Sequence, residues 1–258
     1  MFSLSVESVT SVLSWQTEGS HPIHNVTLIG GIHHPFEETA AELAGILEEQ
    51  GVVSFITEDV DEAIGALAGA SLFTLNALRW RMLNHEKYLP NMDRWSYELP
   101  SAHGRALMEF VDRGGGLLGM HTASICFDAW PEYRHLLGGA WAWERTFHPP
   151  LGCAEIRPAP GQADEPGPSI QSLTAGMASF NLCDEIYHCL DVAADSQIIL
   201  EGRLPHGPWQ PISWAREQGA GRVIYHGLGH DAASLRNECH RTLVARCYRW
   251  LRQLNPFG

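Results

Sequence analysis

Two segments of this chain share one pattern, a glycine-bounded apolar run that ends on histidine. Gly221-Arg222-Val223-Ile224-Tyr225-His226-Gly227-Leu228-Gly229-His230-Asp231 lies near the C-terminus, and Gly114-Gly115-Gly116-Leu117-Leu118-Gly119-Met120-His121-Thr122-Ala123 repeats the pattern at mid-chain. An apolar run without polar alternation must be buried on both faces, which restricts it to a sheet covered by helices on either side. Open sheets of that kind bind ligands in the crevice beyond the carboxyl ends of their strands. Two strands that each deliver a histidine to that end define a candidate site.

The rest of the chain repeats the strand and helix alternation. Val26-Thr27-Leu28-Ile29-Gly30-Gly31-Ile32 reads as the first strand, stopped near His33-His34-Pro35. Residues 37–50 follow with Ala40, Leu43, Ala44 and Leu47 on one helical stripe and Gly51 just past the end. A strand over 52–56, a helix over 61–67 and a strand over 70–75 complete a β-α-β-α-β order. Residues 76–100, with Trp80, His85, Tyr88, Trp95 and Tyr97, form a long segment expected to lie over the carboxyl edge of the sheet. Ser101 is expected to cap the next helix, and 131–137 forms another. Residues 141–148 alternate like an edge strand, with Trp141 and Trp143 on one face, and stop at Pro149-Pro150. The proline-rich stretch 157–170 reads as a surface excursion. Strands are expected at 197–200 and 212–216, and a closing helix over 236–254. Residues 1–20 read as an N-terminal extension and 21–258 as one domain.

Composition narrows the function classes. With 45% hydrophobic residues in 258, the chain can bury a full core. A net charge of -13 without a basic cluster excludes a nucleic-acid partner. No stretch approaches a membrane span, and the first twenty residues lack the apolar core of a signal peptide. Six cysteines without CxxC spacing indicate a reducing compartment, and hence a cytoplasmic protein whose oligomeric state is left open.

Several residues carry candidate chemistry. Gly119-Met120-His121-Thr122-Ala123 has the strand-to-turn shape of a nucleophile elbow, yet histidine occupies the nucleophile position. Imidazole there can serve as an acid, a base or a metal ligand. Cys126, between Ile125 and Phe127, reads as packing. Glycines 227 and 229 let the backbone beside His230-Asp231 come close to a ligand. In Asp184-Glu185-Ile186-Tyr187-His188, extended backbone puts Glu185 and Tyr187 on one face and Asp184 on the other. Only one of His33 and His34 can face the crevice, and Trp141, Trp143 and His148 can supply a stacking wall.

Taken together, the His121 segment, Gly138-Gly139-Ala140-Trp141, Asp184-Glu185-Ile186-Tyr187 and the His230 segment resemble the ThuA-like proteins, named for trehalose utilisation, over residues 25–254. The resemblance implies an α/β, three-layer flavodoxin-like fold of the class I glutamine amidotransferase type, with a mainly parallel sheet and helices on both faces. It sets His121 where an amidotransferase keeps its nucleophilic cysteine and His230 near that fold's catalytic histidine, which argues against glutaminase chemistry. It also places His33 or His34 and the Glu185–Tyr187 pair in the same crevice. The chain departs from the family at Gly167-Pro168-Ser169-Ile170, where a His-Pro-Ile sequence is common.

The resulting expectation is acid-base isomerisation or elimination on a keto-sugar or keto-glycoside. His121, His230 and Glu185 are its catalytic groups, and His34, Tyr187 and Trp143 bind a small-molecule carbohydrate. Two alternatives stand beside it. One is a metal-dependent hydrolase in which His34, His121, His230 and Glu185 hold a divalent ion such as Zn²⁺. The other is a sugar-binding module without catalysis.

Overall fold

The computed structural model describes residues 24–257, so the extension expected over 1–20 lies outside the described residues. The first half of the fold winds β1 (Asn25–Gly30), α1 (Phe36–Glu48), β2 (Ser54–Thr57), α2 (Val60–Ala66) and β3 (Leu72–Ala77). After the long segment that contains α3 (Met92–Trp95), α4 (Ser101–Asp112) leads into β4 (Gly116–Met120). Then come α5 (Pro131–Leu137), β5 (Gly139–Ala140), β6 (Gly152–Pro158), β7 (Phe180–Asp184) and β8 (Asp191–Val192). The chain closes with β9 (Gln197–Arg203), β10 (Gln210–Gln218), β11 (Gly221–His226), α6 (Ala232–Leu235) and α7 (Glu238–Leu251).

Among the described residues, nine strands form one sheet in the order β2-β1-β3-β4-β11-β10-β9-β6-β7. From β2 to β11 all neighbours are parallel, in the strand order of flavodoxin-like sheets. From β11 onward the pairing is antiparallel, so β10, β9, β6 and β7 extend one side. The apolar strand runs supply both faces of the parallel part by simple alternation. Val26, Leu28, Phe73, Leu75, Leu117 and Val223 pack with Ala63, Leu107 and Phe110 from α2 and α4. Leu72, Leu118, Met120 and Ile224 pack on the other face with Leu43, Ile46 and Leu47 of α1 and Leu243 and Val244 of α7. This is the covered α/β sheet that the apolar strands require.

Three local expectations change. Residues 141–148 form a turn with a single bridge between Phe147 and His188, and the edge strand on this side of the sheet is β7 instead. The alternation of Trp141 and Trp143 has another cause: both rings line a cleft. Ser101 is the first helical residue of α4, with Pro100 in the cap position and no side-chain cap. By contrast, Asp59 caps α2 and Asn237 caps α7, each accepting two backbone N–H groups.

A buried polar pair ties β11 to α7. His226 and His240 meet through their Nε2 atoms at 2.8 Å, and both are fully buried. His240 Nδ1 lies 2.9 Å from the Ser234 carbonyl, which can only accept, so that nitrogen carries the proton. His240 Nε2 is therefore the acceptor for the His226 Nε2–H. Burial lowers the pKa of both rings, and their mutual proximity adds to this for His226, whereas Asp184 opposes it for His240. Both stay neutral in the fold while the unfolded chain regains the ordinary value of 6.5. Stability from this pair is thus complete above that pH. It declines as pH falls below it, by up to about 1.4 kcal/mol per pH unit for each ring. Urea unfolding followed from about pH 7.5 to about pH 5 should show a falling midpoint, and His240→Gln should flatten that fall. An unchanged slope in the variant would assign the pH dependence to other groups.

Candidate metal centre

Four chain segments bring their side chains together beyond the carboxyl ends of the sheet. The chain leaves β1 at Gly30, whose φ of 101° suits glycine, and turns to present His34. Of the adjacent pair it is His34 that faces inward, while His33 is exposed at the rim of the cleft. His34 Nδ1 lies 3.1 Å from the Ile32 carbonyl. At the end of β4, His121 holds a left-handed φ of 42°, the strained conformation of an elbow. Two bonds fix it there. The Tyr225 hydroxyl donates to the His121 carbonyl at 2.8 Å, and His121 Nδ1 lies 2.7 Å from the Gly227 carbonyl. Because both ring partners are carbonyls, each Nδ1 must carry the proton, which leaves the Nε2 lone pairs of His34 and His121 directed into the site.

His230 and Glu185 arrive from the antiparallel side through one buried carboxylate. Asp184, fully buried at the end of β7, accepts from the backbone N–H of Gly229 at 2.8 Å and of His230 at 3.2 Å. It also accepts the N–H of Glu185 at 2.8 Å and the hydroxyl of Ser234. The opposite orientation of Asp184 and Glu185 was legible from strand alternation, but the task of Asp184 was not. Apart from the Glu185 N–H, its donors come from a loop at least 45 residues away.

The cluster itself is compact. One donor atom from each of His34, His121, Glu185 and His230 lies within 4.8 Å of all the others. Glu185 Oε2 is 3.2 Å from His230 Nδ1, 3.5 Å from His121 Nε2 and 3.9 Å from His34 Nε2. Tetrahedral ligands held about 2.0–2.1 Å from zinc stand roughly 3.3 Å apart, so these spacings bracket what an ion needs. Three of the four atoms, His34 Nε2, His230 Nδ1 and Glu185 Oε2, are buried and make no hydrogen bond of proper geometry. Buried polar atoms are rarely left so. Burial pushes the Glu185 carboxyl up, but the short-range pull of His121, His230 and His34 outweighs it and holds the group well below the ordinary carboxylate range. Contact with Glu185 raises the pKa of His230, whereas burial lowers that of His34.

Around the cluster is a cleft of about 290 Å³ with an aromatic wall. Trp80 and Tyr88 come from the long segment, which does lie over the carboxyl edge, and Trp141, Trp143 and Tyr187 complete the wall. Trp80 and Trp143 stack with centroids 6.4 Å apart. The Tyr187 hydroxyl reaches His121 Nε2 at 3.1 Å, and burial pushes that phenol far up. His148 stands on the other carboxylate oxygen, with Nδ1 3.5 Å from Glu185 Oε1. Trp80, Tyr88 and the contact between His148 and Glu185 were not identified from sequence as site features, since no local spacing reports a wall built from distant loops. Cys126 is packing, as expected. Its thiol is pushed up to about 12 by burial and donates to the Ala77 carbonyl at 3.1 Å. A larger groove of about 610 Å³, lined by Leu67, Ala70, Phe110 and Gly114, lies near the amino ends of β3 and β4. No histidine or cysteine lines it, so size does not mark the chemistry here.

The chain thus combines a flavodoxin-like sheet with a histidine-carboxylate cluster at its carboxyl edge and a histidine at the elbow. The chain belongs to the ThuA family, described as trehalose utilisation, whose model matches residues 25–251. No curated protein matches it. Among solved structures it is similar to a ThuA-like protein of Parabacteroides merdae, with 16% identity, 90% of each chain covered and a TM-score of 0.68. A ThuA-like protein of Bacteroides uniformis has 18% identity and a TM-score of 0.64, over 93% of this chain and 98% of that one. A β-galactosidase from Rahnella sp. R3 is similar over 88% of this chain but only 31% of its own, with 14% identity and a TM-score of 0.55. These likenesses concern the fold.

Asp184 gives the site its most direct structural test. Asp184→Asn keeps the shape but replaces one accepting oxygen with a donor facing N–H groups. Unfolding free energy should fall by about 2–3 kcal/mol, on the scale of a hydrogen bond to a charged group plus an unsatisfied partner. Denaturant titration of the two proteins measures it. A change below about 0.5 kcal/mol would remove Asp184 as the anchor of the site.

Proposed function

We propose that the protein is a metal-dependent enzyme of carbohydrate utilisation, hydrolytic in type, with an oxidised sugar or keto-glycoside as substrate. One observation carries the metal reading: three buried donor atoms without hydrogen-bond partners converge with His121 Nε2 on a single point. The carbohydrate class rests on family membership and on the aromatic wall. The isomerase or lyase reading uses the same histidines as proton carriers. It leaves those orphaned atoms without a partner, whereas a cation would satisfy all of them at once.

In this reading His34 and His121 bind through Nε2, His230 through Nδ1 and Glu185 through Oε2. The donor set of three imidazoles and one carboxylate suits zinc or a similar divalent ion. Such an ion, when bound, polarises an oxygen of the substrate and makes water acidic enough to act as a nucleophile near neutral pH. The carbonyls of Ile32 and Gly227 orient two of the ligand rings from behind, as outer partners of metal-bound histidines do. Tyr187 directs its hydroxyl into the cleft beside His121 and donates to a substrate oxygen. His148, held on Glu185 Oε1, takes a proton from the attacking water and returns it to the leaving oxygen. Trp143, exposed and backed by the buried Trp80, holds the apolar face of a sugar ring and keeps water from the reacting centre.

Protein purified without added metal and analysed for elements should carry close to one equivalent of a transition-series divalent ion. Glu185→Gln and His121→Ala should retain the fold and lose most of that ion, and a chelator should abolish turnover until metal is restored. Less than a few tenths of an equivalent, with full activity, would sink the metal reading. Trp143→Ala, which leaves the ligands untouched, should raise KM about tenfold or more with kcat changed less than threefold, on the scale of one lost stacking contact. Steady-state kinetics on a keto-glycoside tests this, and an unaltered KM would place the sugar elsewhere.

A further inference from the structure

Outside the histidine cluster, two thiols face each other across the far edge of the sheet. The antiparallel register of β6 and β7 pairs Cys153 directly with Cys183, between Gly152↔Asp184 on one side and Ala154↔Leu182 on the other. Directly opposed residues in an antiparallel pair have Cα atoms about 4.5–5.5 Å apart, whichever hydrogen-bonding class the pair belongs to. A disulfide spans Cα atoms about 4.4–6.8 Å apart, so the Cα separation of this pair falls within its range. Both side chains are exposed, and both cysteines are free. Cys126 and Cys247 differ sharply, since both are buried with thiols pushed up to about 12.

We infer that Cys153 and Cys183 form a dithiol modification site that exchanges with low-molecular-weight disulfides and closes to a cross-strand bond. One thiolate attacks a sulfur of the small disulfide, giving a mixed disulfide and releasing one small thiol. The second cysteine then attacks the protein sulfur of that mixed disulfide, the S–S bond forms, and the second small thiol leaves. Two protein thiols are oxidised and one small disulfide is reduced to two thiols, so protons and electrons balance. Among the described residues, β7 is the last strand of the sheet and has a neighbour on one side only. The bond therefore clamps this edge one residue before Asp184, the carboxylate that positions His230 and Glu185. The site stands on strand register and exposure, and does not rest on the metal reading.

The test equilibrates the full reduced chain with oxidised and reduced glutathione at rising ratios, followed by acid quenching, alkylation and peptide mapping. The expected product is a peptide linking Cys153 to Cys183, with two alkylation sites lost per chain and recovered by dithiothreitol. Cys183→Ser and Cys153→Ser should each block the link and carry a stable glutathione adduct on the remaining partner. Either variant suffices if the other fails to fold. Separate glutathione adducts on both cysteines of the wild-type chain would overturn the inference. So would a link through Cys189 or Cys239, or no oxidation at ratios that oxidise a simple dithiol. Because the readout is mass, loss of the metal reading would leave the result interpretable.

Discussion

One buried carboxylate holds this architecture's functional edge together. Asp184 is satisfied by four hydrogen-bond donors: three backbone N–H groups and the Ser234 hydroxyl. Each donor belongs to a segment that the site needs, either Glu185 itself or the Gly229–Ser234 turn that carries His230. An ionised group in a low-dielectric interior tolerates little loss of such donors, so the two segments are held in one relative position. The His226–His240 pair continues the network through Ser234 into α7. The antiparallel extension is thereby joined to the parallel half where the chemistry is placed.

The parallel half contributes strained and pre-oriented imidazoles. His121 sits in a left-handed backbone conformation that Tyr225 and Gly227 enforce, and the same carbonyl that fixes its ring also decides its tautomer. His34 is oriented by the Ile32 carbonyl in the same manner. Neither ring is free to rotate away, so their lone pairs meet at one point without any ligand present. What stands at the elbow is a fixed donor nitrogen rather than an attacking sulfur.

Much of this was legible in the chain. The apolar runs 116–120 and 221–226 demanded cover on both faces, and their histidine ends pointed to the carboxyl crevice. Alternation put Glu185 and Tyr187 on one face, and both do line the cleft. Other features were misread or not seen. Trp141 and Trp143 looked like an edge strand because a period of two has the same appearance in a strand and in a turn that aims two rings at one cavity. The strand that does follow Pro149-Pro150 is β6, and the true edge strand, its partner β7, lies more than twenty residues beyond it. Trp80 and Tyr88 gave no local sign of facing the cleft, since the segment that holds them has no periodicity to read.

By itself the sequence determined the covered parallel sheet, the β-α-β-α-β order of its first half, and which histidines stand at strand ends. It also excluded a cysteine nucleophile at the elbow. Those properties follow from residue patterns a few positions long, through burial, pleat and turn geometry. Tertiary structure alone decided which of His33 and His34 turns inward, that Asp184 binds two distant segments, and that four donor atoms come within 4.8 Å. It alone set Cys153 against Cys183. The reason is physical: hydrogen bonds and strand register between residues far apart in the chain depend on how the sheet closes, and no local spacing encodes that distance.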